Sequence, residues 1–527
     1  MKVLLINPAY PFEEWPTPPF GLMSLAGYLQ EKGIEVRIED YIVTPYNRER
    51  IQRVLNEYGP EVVGATGVTM NVNTALRVLK DYKKENPDII TVMGGPHVTF
   101  DADNILKKNG YVDFIVRREG ELTSVELLEN ISMGTGHRAH TAFNSIAGIS
   151  YRKNGEILHN EDRPLIEDIN ILPYPARDLA PLSKYRALEF PINMVTSRGC
   201  PYECIFCVGR KMMGRKVRCF DVDRVVDEFE MLSTMGFKQI NIVDDLFTSN
   251  KNRCIAICDE IIKRGVSYPW TAFARVNTVS KRLLEKMKEA GCLMLCFGIE
   301  SGNQEILNTI KKKTTIEEIQ KAINLCIEVG MGSMGSYILG LPGENHETVK
   351  KTLEFAAGLN PAYGFHILAP FPGTEIRDSN KAYEIRILTD DWDKYDANQA
   401  VSETPYISHE EIDRIVNEFN SDIEQHISNM EKKKDQNNSL SKEDMDFIEG
   451  RENFRFSKDL ILMEMVERYP GLNNGADTDE IIDDFILFVE KNINFPREEV
   501  RRRLTKLFSR NCLKIEDREG KTEIGWA

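Results

Sequence analysis

Apolar residues along the chain are spaced in two stretches of strand–helix alternation, followed by a polar, helical remainder. In the first stretch, residues 1 to about 135, short apolar runs predict strands at Val3–Ile6, Val36–Ile38, Val62–Thr66, Ile89–Met93 and Phe114–Val116. Amphipathic runs of helical period, such as Leu22–Glu31 and Thr74–Lys84, fall between them. Five strands with helical crossovers predict an α/β fold, a doubly wound, flavodoxin-like parallel sheet. Ligands of such sheets sit beyond the strands' C-terminal ends. Residues 136–190 read as a connector. It holds a hairpin, Ile146–Tyr151 and Glu156–Leu158 around Asn154-Gly155, and a proline-broken linker over Ile171–Arg177.

The alternation returns from residue 191 to about 375. Strands are predicted at Met194–Ser197, Gln239–Val243, Thr271–Val276, Leu293–Ile299, Ser336–Leu341 and Phe365–Leu368. Residues 376–440 hold a long polar helix, 405–433, and a flexible charged linker, Lys432–Ser439. Residues 441–527 form a small helical domain, with apolar periods at Leu460–Val466 and Ile481–Val489. It ends in a hairpin, Cys512–Ile515 with Thr522–Gly525, a winged-helix-like order.

Composition narrows the function. A length of 527 residues, 42% of them hydrophobic, suits two to four packed domains. A net charge of −15 argues against a chain built for nucleic acid or an anionic membrane. One helix carries Arg497, Arg501, Arg502, Arg503, Lys506 and Arg510, yet Glu498 and Glu499 accompany them, so it reads as a solvated face. A substrate-covering cap or a partner-docking role suits this C-terminal unit better than nucleic acid. No run of 18 apolar residues is present, and no basic or long apolar segment precedes the first strand. Ten cysteines are few for a secreted disulfide scaffold of this size, so the expected compartment is the reducing cytoplasm.

Three of the ten stand in Arg198-Gly199-Cys200-Pro201-Tyr202-Glu203-Cys204-Ile205-Phe206-Cys207, a C-x3-C-x2-C run. Thiolates in so short a loop can converge on one metal centre. Three ligands are one fewer than the irons of a [4Fe–4S] cluster, which leaves one iron open. The preceding apolar run, Ile192–Val195, sets the loop at the C-terminal end of a strand, where α/β barrels place their ligands.

The loop resembles that of the radical S-adenosylmethionine (SAM) superfamily. The resemblance implies a [4Fe–4S] cluster on Cys200, Cys204 and Cys207, SAM chelating the fourth iron, and a 5′-deoxyadenosyl radical as the product of its reductive cleavage. It also implies that the six strands form a partial (β/α)6 barrel. Further segments then fall at the barrel's strand ends and are candidates for SAM, with the aromatic Phe206 beside the cluster. Asp244, in preference to Asp245, would accept from the SAM ammonium, although Thr248, Ser249 or Asn250 offer a plain helix cap there. Arg275 would pair with the SAM carboxylate. Glu300 and Ser301 would meet the ribose hydroxyls, and Leu341 would flank adenine.

Asn7-Pro8, Pro18-Pro19-Phe20-Gly21 and Gly94-Gly95-Pro96-His97 resemble the cobalamin-binding domain that precedes many radical SAM domains, including those of radical methylases and anaerobic Mg-protoporphyrin ester cyclases. The resemblance implies cobalamin as second cofactor, with Asn7, Thr66, Gly94, Gly95 and His97 as its candidate contacts. The Asp-x-His-x-x-Gly run that supplies a lower axial ligand in classical cobalamin domains is absent. Two activities follow from the resemblance: methylation of an unactivated carbon, or oxidative ring closure without methyl transfer. A non-catalytic redox-sensing or nucleic-acid-binding protein, using the cluster and the C-terminal unit, is the remaining alternative. The implied partners are a natural-product, lipid or tetrapyrrole substrate and a flavodoxin- or ferredoxin-type electron donor.

Overall fold

The computed structural model of the protein describes residues 1–10, 17–135, 143–359, 362–436, 440–473, 477–518 and 520–527. The N-terminal sheet has seven strands: β1 (Lys2–Asn7), β2 (Glu35–Asp40), β3 (Val62–Thr66), β4 (Ile90–Gly94), β5 (Phe114–Val116), β6 (Ile149–Lys153) and β7 (Glu156–His159), in the order β2-β1-β3-β4-β5-β6-β7. The first five are parallel and buried on both faces, which is why they read as continuous apolar runs. In β1, Val3 and Leu5 pack with helix Phe20–Glu31, while Leu4 and Ile6 pack with helix Val72–Glu85 on the other side.

The hairpin expected within the connector is β6–β7, and it belongs to this sheet: β6 pairs antiparallel with β5. The three-residue β5 would otherwise be an unpaired edge. Arg117 ties the two together by donating to Ile149 O at 2.6 Å and to Asp162 Oδ1 at 3.1 Å.

The second sheet has six parallel strands in chain order: Ile192–Met194, Ile240–Ile242, Trp270–Ala274, Cys292–Glu300, Gly332–Leu339 and Ala362–Ile367. The first and last do not pair with each other, so the barrel is open on one side. Alternate residues such as Trp270, Leu295, Phe297 and Tyr337 are buried on its outer face. The polar helix expected over 405–433 runs His409–Asp435. It turns Phe419 onto Tyr363 and Phe365 of the last barrel strand, with ring centroids 5.6 and 4.9 Å apart. The linker expected at Lys432–Ser439 is helical at Lys432–Asp435, and its residues 437–439 lie outside the described residues.

The C-terminal unit has three helices, Lys442–Leu462, Thr478–Asn492 and Arg497–Ser509, then the antiparallel pair Leu513–Arg518 and Lys521–Trp526. Its basic helix spends its charge on neighbours: Arg501 on Asp483, Arg502 on Glu449, Arg503 on Glu452, Lys506 and Arg510 on Glu189. The last pairing docks the unit against the chain just before the barrel. Among the described residues no helix is long and apolar enough to cross a membrane.

Candidate functional site

The cysteine loop leaves the first barrel strand through Gly199, whose φ of +103° and crowding demand glycine: a Cβ there would lie 2.5 Å from Lys216 O. Ile205 is fully buried and pins the loop's middle, its N–H donating to Ile310 O at 3.2 Å. Cys200, Cys204 and Cys207 then line one pocket of about 270 Å³ together with Tyr202, Phe206, Arg275, Glu300 and Lys312.

Burial pushes the Cys200 thiol up, and low-polarity surroundings push that of Cys207, although it is open to the surface, up to about 11. Such thiols stay protonated until a metal replaces the proton. Donors wait for the resulting charge: Gly209 N–H is 3.3 Å from Cys207 Sγ, and Arg275 Nη1 is 3.5 Å from Cys204 Sγ. Among the described residues, one set of three candidate ligand atoms lies within 4.8 Å of one another, as a single ion needs: Glu403, His409 and Glu410. The three sulfurs are not such a set. A three-thiolate donor set on one short loop fits an iron–sulfur cluster.

The residues expected to hold SAM divide. Phe206 faces the pocket, 6.0 Å from Lys312 Nζ. Glu300, at φ +72°, also faces it but is paired: its Oε1 accepts from Lys312 Nζ at 2.6 Å. Asp244 also lines the pocket, and its buried carboxylate accepts from Thr196 N, Thr196 Oγ1 and Ser197 Oγ, each at 2.6 Å, which clasps the approach to the loop. Arg275 is likewise committed. It lies 3.6 Å over the Tyr202 ring and donates to Lys312 O, so its fork is not free for a carboxylate; its Nε alone is buried without a partner. Ser301 and Leu341 are buried off the pocket. Ser301 bonds Thr352 Oγ1 at 3.1 Å, and Leu341 N–H donates to Glu344 at 3.0 Å. Strand-end spacing locates these loops. It does not reveal which side chains the neighbouring backbone consumes.

Sequence reasoning missed several residues. Lys312 sits in the run Lys311-Lys312-Lys313, which reads as surface, yet only its middle member turns inward. Asp245 is not among them: it stands second to Asp244 for the SAM ammonium, and it accepts from Gly199 N–H at 2.8 Å. Glu344 is fully buried, accepts from Gly340 N–H at 2.7 Å, and is pushed by burial up to about 8. His366 lies on the last strand on the face opposite Phe365, hence toward the barrel interior, and is exposed without a hydrogen bond or ion pair among the described residues.

A second cleft, of about 320 Å³, lies where the C-terminal ends of the N-terminal strands face the barrel. Thr66, Gly94 and Gly95 line it from one side; Val195, Arg198, Met212 and Asp245 line it from the other. A Cβ on Gly94 would meet nothing closer than Val116 O at 3.8 Å, so this turn offers bare backbone to the cleft. Gly95 answers to its own turn: at φ +100°, a Cβ would come within 2.8 Å of Gly67 O. The apolar lining and glycine turns fit a large, flat cofactor.

Asn7 and His97 depart from expectation, since neither lines this cleft. Asn7 donates to Asp40 Oδ1 at 2.9 Å, and Tyr185 of the connector donates to Asp40 Oδ2 at 2.7 Å. Burial raises Asp40 to about 6. His97 is buried between Thr69 Oγ1, at 3.2 Å, and the edge of Trp392, 4.8 Å between ring centroids. No histidine lines the cleft among the described residues.

The two sites are wired together by charge. Arg198, two residues before Cys200, pairs with Glu119 at 3.0 Å and Glu121 at 2.6 Å from the N-terminal sheet's domain, and Arg218 pairs with Glu119 at 2.9 Å. Burial disfavours the Glu119 anion, but the two guanidiniums more than offset this and hold its pKa below the usual range.

The arrangement defines a class: an open parallel barrel with a three-thiol loop at its mouth, abutting a sheet that keeps its own ligand cleft. The B12 binding domain family matches residues 14–128, and the Radical SAM superfamily matches residues 194–356. An uncharacterized methyltransferase of Pyrococcus horikoshii is 35% identical over 426 residues, 79% of this chain and 91% of the relative. The anaerobic magnesium-protoporphyrin IX monomethyl ester cyclase of Rubrivivax gelatinosus is 31% identical over 395 residues, 71% of this chain and 69% of the relative. The chain belongs to the radical SAM superfamily, in the branch that carries a B12-binding domain. Solved structures share its fold. The cobalamin-dependent SAM radical enzyme OxsB, with aqua-cobalamin and SAM bound, matches 96% of this chain and 80% of its own at TM-score 0.68 and 18% identity. The methyltransferase TsrM of Kitasatospora setae, with cobalamin and a [4Fe–4S] cluster bound, matches 74% and 81% at TM-score 0.64 and 20% identity. Cobalamin and SAM are the ligands for which the two matched domains are named.

Proposed function

We propose that the protein methylates an unactivated carbon of a small-molecule substrate. The observation that carries this reading is Asp245, which lines both the three-thiol pocket and the cleft of the N-terminal domain, so the two cofactor sites share a wall. A radical made at one site and a methyl group held at the other need such adjacency. When bound, the reduced [4Fe–4S] cluster with SAM supplies a 5′-deoxyadenosyl radical, and cobalamin supplies the methyl group.

This chain's residues would divide the work as follows. Cys200, Cys204 and Cys207 hold the cluster, and Arg275 and the Gly209 N–H stabilise charge on its sulfurs. Phe206 and the Glu300–Lys312 pair wall the SAM side. Thr66, Gly94 and Gly95 present the edge of the sheet to the corrinoid. The substrate enters the open barrel, whose interior offers the exposed Phe273 and the free imidazole of His366. An external carrier supplies the electron.

The relatives named for methyl transfer, in Pyrococcus horikoshii and TsrM, support this reading; the named cyclase supports ring closure as the second. Anaerobically reconstituted protein, given dithionite and SAM, is expected to form 5′-deoxyadenosine and S-adenosylhomocysteine together. 5′-Deoxyadenosine alone would favour ring closure, and neither product would refute both.

A further inference from the structure

We propose that the substrate is seated on the inward faces of the last two barrel strands and anchored by His366 through an oxyanion, so that it is an apolar small molecule bearing one acidic group. The inference rests on the methylation reading and names a substrate class for it.

The barrel interior is divided, and one part is left over. Val195 and Val243, at the ends of the first two strands, line the cleft of the N-terminal domain. Phe273, Cys296 and Gly298, on the third and fourth, line the three-thiol pocket. Among the described residues, none from the fifth or sixth strand lines either cavity. The inward faces of these two strands follow from register, since residues paired across parallel strands share a face. Met334 pairs with Cys296 and with Ala362, Ser336 with Gly298 and with Gly364, and Ile338 with His366. The alternate residues face outward: Tyr337 lies 5.5 Å from Phe365 between ring centroids, and Phe419 covers Phe365.

This free face is mostly apolar or bare below and polar at its rim. A Cβ on Gly364 would meet nothing nearer than Met334 Cε at 3.9 Å, so there is open space above that strand. Ala362 and His366 are both exposed. Four residues separate them, about 13 Å of strand, along which a body of two fused rings can lie. His366 stands near the strand's C-terminal end, the end at which the cysteine loop leaves the first strand. It is the one ionisable side chain among the six inward residues, and it makes no hydrogen bond or ion pair among the described residues.

Charge decides the class. A neutral imidazole donates one N–H and an imidazolium donates two, so either holds an oxyanion. The cations nearer the cysteines are already engaged: Lys312 by Glu300 at 2.6 Å, and Arg275 by the Tyr202 ring and Lys312 O. None of the six inward positions is a carboxylate, so an ammonium on the substrate would lose its hydration without gaining a counter-charge. An acid places its charge at the solvent-facing rim and its body below.

The test uses the full-length, cofactor-loaded protein and two probes of one shape and opposite charge, 2-naphthoate and 2-naphthylmethylammonium. Their affinities are read by anaerobic equilibrium dialysis. Wild type is expected to prefer the naphthoate about tenfold or more. His366→Gln should weaken naphthoate binding about tenfold, and His366→Glu should reverse the preference between the probes. Gly364→Leu, which fills the open space, should abolish binding of both. Iron and corrinoid content should match wild type in all three variants. Equal affinity of wild type for the two probes, failure to bind either, or an unreversed preference in His366→Glu would overturn the anchor. A protein that shows the expected selectivity but forms no S-adenosylhomocysteine from SAM with dithionite would overturn the methylation reading instead and leave the anchor standing.

Discussion

The two cofactor sites are built by opposite means. The cluster pocket is a matter of side chains: three thiols, a guanidinium stacked on Tyr202, and the Glu300–Lys312 pair, each held by named atoms. The cleft of the N-terminal domain is a matter of space and backbone: Gly94 without a side chain, Thr66 at a strand end, and a lining that is mostly apolar. A site made of side chains announces itself in the sequence. A site made of room can be spelled many ways.

The sharpest break between the two is to remove the side chains from one. Replacing Cys200, Cys204 and Cys207 together with Ala is expected to abolish the cluster, about four irons per chain, and all SAM cleavage. Corrinoid absorbance of the purified protein should persist. Loss of both signals would show that the sites do not form independently.

The reverse experiment fills the room. Gly94→Phe puts a ring into the cleft and is expected to eliminate corrinoid binding while iron content stays at the wild-type level. Gly95→Val is the control next door. It forces a positive φ on a branched residue against Gly67, so it is expected to lower unfolding stability by about 1–3 kcal/mol in a denaturant titration. If Gly95→Val proved as stable as wild type, the crowding at that turn would not be real.

A smaller effect comes from pH. Burial raises the folded-state pKa of Glu344 to about 8 and that of Asp40 to about 6. Between the ordinary carboxylate value and the raised one, the unfolded chain has lost a proton that the folded chain keeps. Stability therefore falls as pH rises, from about 4 to 6 on account of Asp40 and from about 4.5 to 8 on account of Glu344. Glu344→Gln should flatten the upper part of a plot of Tm against pH. An unchanged slope would mean that the carboxyl is ionised in the fold.

The smallest effect concerns the link between Asn7, Asp40 and Tyr185. Tyr185→Phe removes one buried hydrogen bond and is expected to cost about 1 kcal/mol of stability, with corrinoid affinity unaltered. A large loss of affinity would return Asn7's strand end to the cofactor.

Most strands were legible because the parallel sheets bury both faces and leave unbroken apolar runs. The C-x3-C-x2-C loop was legible because its spacing is short and its chemistry narrow. What escaped was long-range. The hairpin Ile149–His159 was visible, but its address at the edge of β5 was not. Asp244, Asn7 and Ser301 stand at strand ends, where ligands are sought, yet each is consumed by a partner 33 to 51 residues away in the chain. Lys312 was hidden by its exposed neighbours: a run of three lysines carries no mark of which one turns inward.

Arg198 makes the two halves poor candidates for shuffling. A barrel cut away from its N-terminal companion would leave a guanidinium in a hollow without its anions, and the companion would be left with Glu119 and Glu121 facing nothing. Stranding one member of a buried ion pair is costly. A chimera that exchanges one domain therefore has to carry both ends of the pair. By the same token, the halves produced as separate chains hold matching plugs and sockets, and each would be drawn to the other.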